Sequence, residues 1–119
     1  MTYVDGFVAA VPTANRETYR DYCMAASAVF REYGALRVVE CWQDDVPHGK
    51  RTDFFLAVQA TDVESILFSW IEWPSKEARD KAWAAMISDP RMDPEKNPMP
   101  FDGKRMIFGG FMPLVDASD

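Results

Sequence analysis

A chain of 119 residues with 48% apolar and 27% charged side chains has the size and make-up of one globular domain, spanning 1–119. Nineteen acidic against thirteen basic residues leave a formal charge of −6, and the largest basic clusters, Lys50-Arg51 and Lys104-Arg105, are only pairs. Nucleic acid and anionic membrane surfaces are therefore not expected partners.

Taken in order, the chain first offers Thr2–Val11, a β-prone apolar run interrupted by Asp5 and Gly6 and closed by Pro12. It reads as a strand, with the glycine marking a bulge or a close backbone approach. Asn15–Tyr33 is a helix: Tyr19, Tyr22, Cys23, Ala26, Phe30 and Tyr33 recur at three- and four-residue spacing along one stripe. Thr13 or Asn15 is placed to cap its start, and Gly34 to take the left-handed position after its end. Ala35–Asp44 is a second strand with Val38, Glu40, Trp42 and Asp44 on one face and Arg37, Val39, Cys41 and Gln43 on the other. After the turn at 45–49, Thr52–Ala60 fits either a strand or a short helical turn capped by Thr52 or Asp53; the polar break at 61–64 favours the turn. Ser65–Trp73 (SILFSWIEW) is a third strand stopped by Pro74, and Ser75 caps a second long helix over Lys76–Ser88. Arg91–Pro98 is a charged, proline-rich loop. Pro100-Phe101-Asp102-Gly103 then turns the chain into a last apolar strand, Met106–Phe111.

This order is the βαββαβ pattern of an α+β, ferredoxin-like fold, a four-stranded antiparallel sheet with both long helices on one face. SILFSWIEW and MIFGGF are too continuously apolar for a sheet with one face in water. With no third layer left in the sequence, a second copy of the chain is the expected cover, giving a homodimer through the sheet faces. No run approaches the roughly eighteen apolar residues of a membrane span, and no leader-like segment opens the chain. Cytoplasmic is the expected location.

Six segments carry a resemblance: YVDGFV at Tyr3–Val8, RVVECW at Arg37–Trp42, FSWIEWPS at Phe68–Ser75, ARD at Ala78–Asp80, DPRM at Asp89–Met92 and MPFDGKRMIFGGF at Met99–Phe111. In order and over nearly the whole chain, they resemble the YbaA-like family of small, functionally uncharacterised bacterial proteins. The resemblance implies the dimeric α+β barrel assembly and carries no activity with it.

Candidate chemistry is sparse. Glu40 shares a strand face with Trp42, and a carboxylate held among aromatics has a raised pKa and can act as a general base. The alternative is an edge carboxylate in water or paired with Arg37 or Arg105. Trp70 and Glu72 on the third strand, with Trp42, are the expected ligand contacts in an aromatic-lined pocket; Glu40 is the expected catalytic residue. Asp102 and Arg105 read either as an anion-binding corner or as a turn residue and an ion-pair partner, and an Asp5–Arg105 contact is expected from pairing of the first and last strands. His48, the only histidine, sits in a Pro-His-Gly turn, so neither a Ser-His-Asp triad nor a haem or zinc site is supported. Cys23 and Cys41 resemble neither a disulfide framework nor a metal knuckle, and no glycine-rich nucleotide motif is present. No metal or other cofactor is expected. The functional expectation is a small-molecule site, binding or converting its ligand without a cofactor; the alternative is a non-catalytic sensor or accessory protein.

Overall fold

The computed structural model describes residues 2–118. Its elements are β1 (Tyr3–Pro12), α1 (Arg16–Glu32), β2 (Arg37–Trp42), α2 (Phe54–Ala57), β3 (Glu64–Trp73), α3 (Lys76–Met86) and β4 (Ile107–Phe111), with short 3-10 turns at Thr13–Asn15, Pro90–Met92 and Gly103–Arg105. The strands form one four-stranded sheet in the order β2-β3-β1-β4, every pair antiparallel. The expected ferredoxin-like α+β fold is the one observed.

Register decides which side chains meet. Glu40 lies opposite Ser69 and Trp42 opposite Leu67, while Ser69 and Leu67 lie opposite Phe7 and Ala9 of β1. Because side chains alternate, these residues share one face with Tyr3, Asp5, Val38, Ile71 and Trp73. Both long helices pack on that face. Tyr3, Ile71 and Trp73 bury against Val29 of α1 and Ala82 and Met86 of α3, and Ala9, Val11 and Leu67 against Tyr19 and Cys23 of α1.

The other face carries Val4, Val8, Val39, Cys41, Phe68, Trp70, Glu72, Ile107 and Phe111. It is not as bare as the sequence led us to expect. The residues around α2 fold back over one end of it, where Val58 buries on Ala10 and Ile66 with Phe55 beside them. Asp53 caps this single turn by accepting from the Leu56 N–H at 2.7 Å. The segment is thus a small third layer, helical rather than strand. The rest of the face stays open, with Phe68, Ile107 and Phe111 45%, 46% and 61% exposed.

The glycines of β1 and β4 do admit close approach, but to this chain's own rings. The Phe111 ring lies over Gly6 and Gly109, and the buried Tyr3 ring lies on Gly110, where any side chain would collide with its carbons at 2.8 Å. Gly34, at φ +112°, closes α1 in the left-handed region as expected. Asn15 does not cap α1; its side-chain amide donates instead to the Pro100 carbonyl at 3.0 Å, tying the start of the helix to the loop before β4.

Candidate functional site

α1 brings Tyr19 and Cys23, one turn apart on its apolar stripe, down onto β2 and β3 beside Glu40 and Ser69. The Tyr19 hydroxyl donates to Glu40 Oε2 over 3.4 Å; Ser69 is the cross-strand neighbour of Glu40, and Cys23 lines the same space. Below this cluster a cavity of about 240 Å³ opens between the sheet and the helices. Its walls are Phe7, Phe30, Ile71 and Trp83, with Met92, Pro94, Met99, Phe101 and Met106 contributed by the segment between α3 and β4. The space is therefore not filled by side chains. A cavity of about 150 Å³ accommodates benzene, so this one is large enough for a bicyclic molecule.

The electrostatics follow from burial. Tyr19 is buried, and that burial, reinforced by the negative Glu40, drives its phenol far above the ordinary tyrosine value; it stays protonated and donates. Desolvation pushes the Cys23 thiol up to about 12, which removes it as a nucleophile at neutral pH. Glu40 is also raised, first by desolvation, against the lowering effect of Cys23, Ser69 and Tyr19. Two features of Glu40 pull in opposite directions: the residue is exposed on the edge strand, yet its carboxyl is desolvated by the buried Tyr19 and Cys23 beside it. Water at the edge limits the size of the rise, while the absence of any lysine, arginine or histidine from the cavity wall preserves its direction.

The structure brings together only some of the residues singled out in the sequence. Glu40 and Trp42 share the helix-covered face, where the Trp42 ring packs 6.4 Å from Tyr19. Trp70 borders the cavity between Ser69 and Ile71, but its side chain, like that of Glu72, lies on the opposite, open face. There the Trp70 indole donates to Glu72 Oε2 at 2.9 Å, and Arg37 reaches the same oxygen at 3.7 Å. Asp102 and Arg105 do not line the cavity, although their neighbours Phe101 and Met106 do, and they act on the chain itself. Asp102 accepts from the Lys104 N–H and from Arg105 Nε, both at 3.0 Å. Arg105 also grips Glu64 with two nitrogens at 2.8 and 2.6 Å and donates to the Gln59 carbonyl at 2.7 Å. Gln59 has φ +52°, so the clip holds a backbone turn that is strained for a non-glycine residue.

The expected Asp5–Arg105 contact is replaced by a different one. Asp5, 3% exposed, takes Arg79 through Nε and Nη2 and accepts the indole N–H groups of Trp73 and Trp83, each at 2.9 Å. Four donors converge on one buried carboxylate, which locks α3 to β1. Breaking a buried pair of this kind costs about 3–5 kcal/mol. Sequence reasoning missed it because Arg79 is distant along the chain; the one local signal was a carboxylate in an otherwise apolar strand. Tyr19, Cys23 and Ser69 were missed as partners of Glu40 for the same reason. His48, 78% exposed, stacks on Phe55 with ring centres 4.2 Å apart.

Comparison with known proteins gives the chain a context. A family model described as "Protein of unknown function (DUF1428)" matches residues 2–103. The uncharacterized protein YbaA of Escherichia coli (strain K12) is 57% identical over 116 residues, covering 98% of this chain and 99% of that protein. The YbaA of Shigella flexneri matches to the same extent. Among solved structures, a dimeric ferredoxin-like protein from an uncultured marine organism superposes with a TM-score of 0.64 at 8% identity, covering 98% of each chain. That likeness is one of fold.

Proposed function

The chain belongs to the DUF1428 family of unknown function, and from that premise we propose a cytoplasmic homodimer that binds a small molecule in the cavity beneath α1 and removes a proton from it with Glu40. The observation that carries this reading is the Glu40 carboxyl, raised by desolvation, at the edge of an aromatic cavity of about 240 Å³ and beside a phenol that stays protonated. A base works best when its pKa lies near the working pH, and desolvation moves the Glu40 carboxyl in that direction. In the step itself the proton of a substrate C–H or O–H passes to Glu40, the electron pair stays on the substrate, and Tyr19 O–H donates to the charge that develops.

Two supports come from elsewhere in the fold. The open sheet face carries exposed Phe68, Ile107 and Phe111, an apolar surface that a second copy would cover. Its polar residues include Glu72, which takes the Trp70 indole N–H and opposes Arg37, so the cation beside these aromatics is offset by a carboxylate where an RNA-binding sheet would leave it free. A non-catalytic sensor is the second reading, favoured by the Cys23 thiol, which at about 12 supplies no nucleophile to accompany Glu40.

The test is a thermal-shift screen of small metabolites, with each stabilising compound then assayed for consumption by the wild type and by Glu40→Gln. Compounds consumed by the wild type and spared by the variant support the base. Equal consumption removes Glu40 from that role, and stabilisation without consumption by either protein selects the sensor.

A further inference from the structure

Glu40 stands at a boundary. On its inner side lies the apolar cavity; on its outer side, between α1 and the edge strand β2, runs a groove of about 330 Å³ lined by Arg16, Arg20, Ser27, Val38 and Trp42. Tyr19, Cys23, Glu40 and Leu67 line both spaces. The two compartments are chemically opposite. The inner wall carries no cation, whereas the groove has two arginines four residues apart, on one side of α1.

These arginines are available. Their side chains are 58% and 63% exposed, and among the described residues each is paired only with its exposed chain neighbour, Arg16 with Glu17 and Arg20 with Asp21 at 3.8 Å. Exposed pairs of that kind are weak and are readily exchanged for a ligand anion. The Arg16 guanidinium is also set 6.0 Å over the Trp42 ring, which holds it at the groove instead of out in solvent. A carboxylate placed in the inner cavity would meet Glu40 with no counter-charge, so an anionic group has one favourable place in this site, and that is the groove.

Resting on the small-molecule reading above, we infer that the site is bipartite and takes an amphiphilic carboxylate: an uncharged ring body in the inner cavity, with its carboxylate held outside by Arg16 and Arg20. Such a ligand is threaded past Glu40 and Tyr19, so the atoms linking ring to carboxylate are the ones presented to the base. Uncharged compounds of the same size gain only the inner half of the site, and anions without an apolar body gain only the outer half.

The test uses the full chain with 2-naphthylacetate and its uncharged methyl ester as matched probes, titrated by calorimetry against the wild type and the Arg16→Gln/Arg20→Gln double variant. Both arginines are surface residues, so the variant folds, and circular dichroism checks that it does. The acid should bind the wild type at least about tenfold more tightly than the ester, through charge-assisted contacts. That advantage should shrink between roughly 0.05 and 0.5 M salt and vanish in the double variant, while ester binding is unchanged. Equal or reversed affinities, or an advantage that survives in the double variant, overturn the inference and leave the inner cavity as the ligand site. Failure of both probes to bind overturns the cavity reading as well.

Discussion

Glu40 combines two properties that most surface carboxylates lack, a crowded carboxyl and no cationic partner on the cavity wall. The consequence for stability has a definite sign. Its pKa in the folded protein lies above the ordinary glutamate value of 4.5, so the folded state binds more protons than the unfolded one just above that pH. Stability contributed at this position is therefore fully present below pH 4.5 and declines as pH rises through the folded value. Glu40→Gln, which cannot ionise, should be more stable than the wild type near neutral pH, with the difference closing below pH 4.5, as measured by urea denaturation across a pH series. A variant less stable than the wild type at neutral pH would show that Glu40 is a paired structural carboxylate. Alternation along β2 was enough to set Glu40 beside Trp42 in the sequence. It could not supply Tyr19 and Ser69, which lie on other elements and arrive only through helix packing and strand register.

At the scale of elements, the segment between α3 and β4 is the least regular part of the fold and the one that forms much of the cavity wall. It is held at its ends by polar contacts. Asp89 accepts from the Tyr33 hydroxyl and pairs with Arg91 at the start, and Arg105 grips Glu64 at the finish. The Glu64 side chain is 6% exposed, and its two bonds from Arg105 hold its pKa down at about 2. Here the sign is opposite to that of Glu40: the stability is present above the ordinary value of 4.5 and is lost as pH falls through about 2. Glu64→Gln should cost about 2 kcal/mol near neutral pH. The loss should fade as the wild type is titrated from pH 4.5 towards 2, a comparison that chemical denaturation at several pH values provides. Asp102 and Arg105 were visible in the sequence as a turn followed by two cations. Their role in the fold depends on Glu64 and Gln59, which approach only because β4 pairs with β1 and β1 with β3.

For the whole molecule, the decisive surface is the open sheet face. The residues around α2 cover one end, and exposed Phe68 and Phe111 remain beyond it. A stable interface buries about 800 Å² per partner, within the scale of one sheet face. Light scattering at micromolar concentration should give twice the chain mass, and Phe68→Glu/Phe111→Glu should give the monomer with its circular dichroism retained. A wild-type monomer would remove the second copy from the proposal without touching the site beneath α1, which lies on the opposite side of the sheet. Among the described residues no helix is long and apolar enough to cross a membrane. The order of the four strands and two long helices was legible locally, because the 3.6-residue and two-residue periods, the cap at Ser75 and the stop at Gly34 are properties of neighbouring residues, whereas 52–60 stayed open between strand and turn until Val58 was seen to bury on the sheet. The sequence by itself also determined the family, through segments spread over the chain. Which partners each polar residue meets came from the packed fold alone. It placed Glu40 with Tyr19 and Cys23, sent Trp70 and Glu72 to the open face, and gave Asp5 to Arg79. The physical reason is that partners are fixed by strand register and helix docking, interactions between residues far apart in the chain that no local pattern encodes.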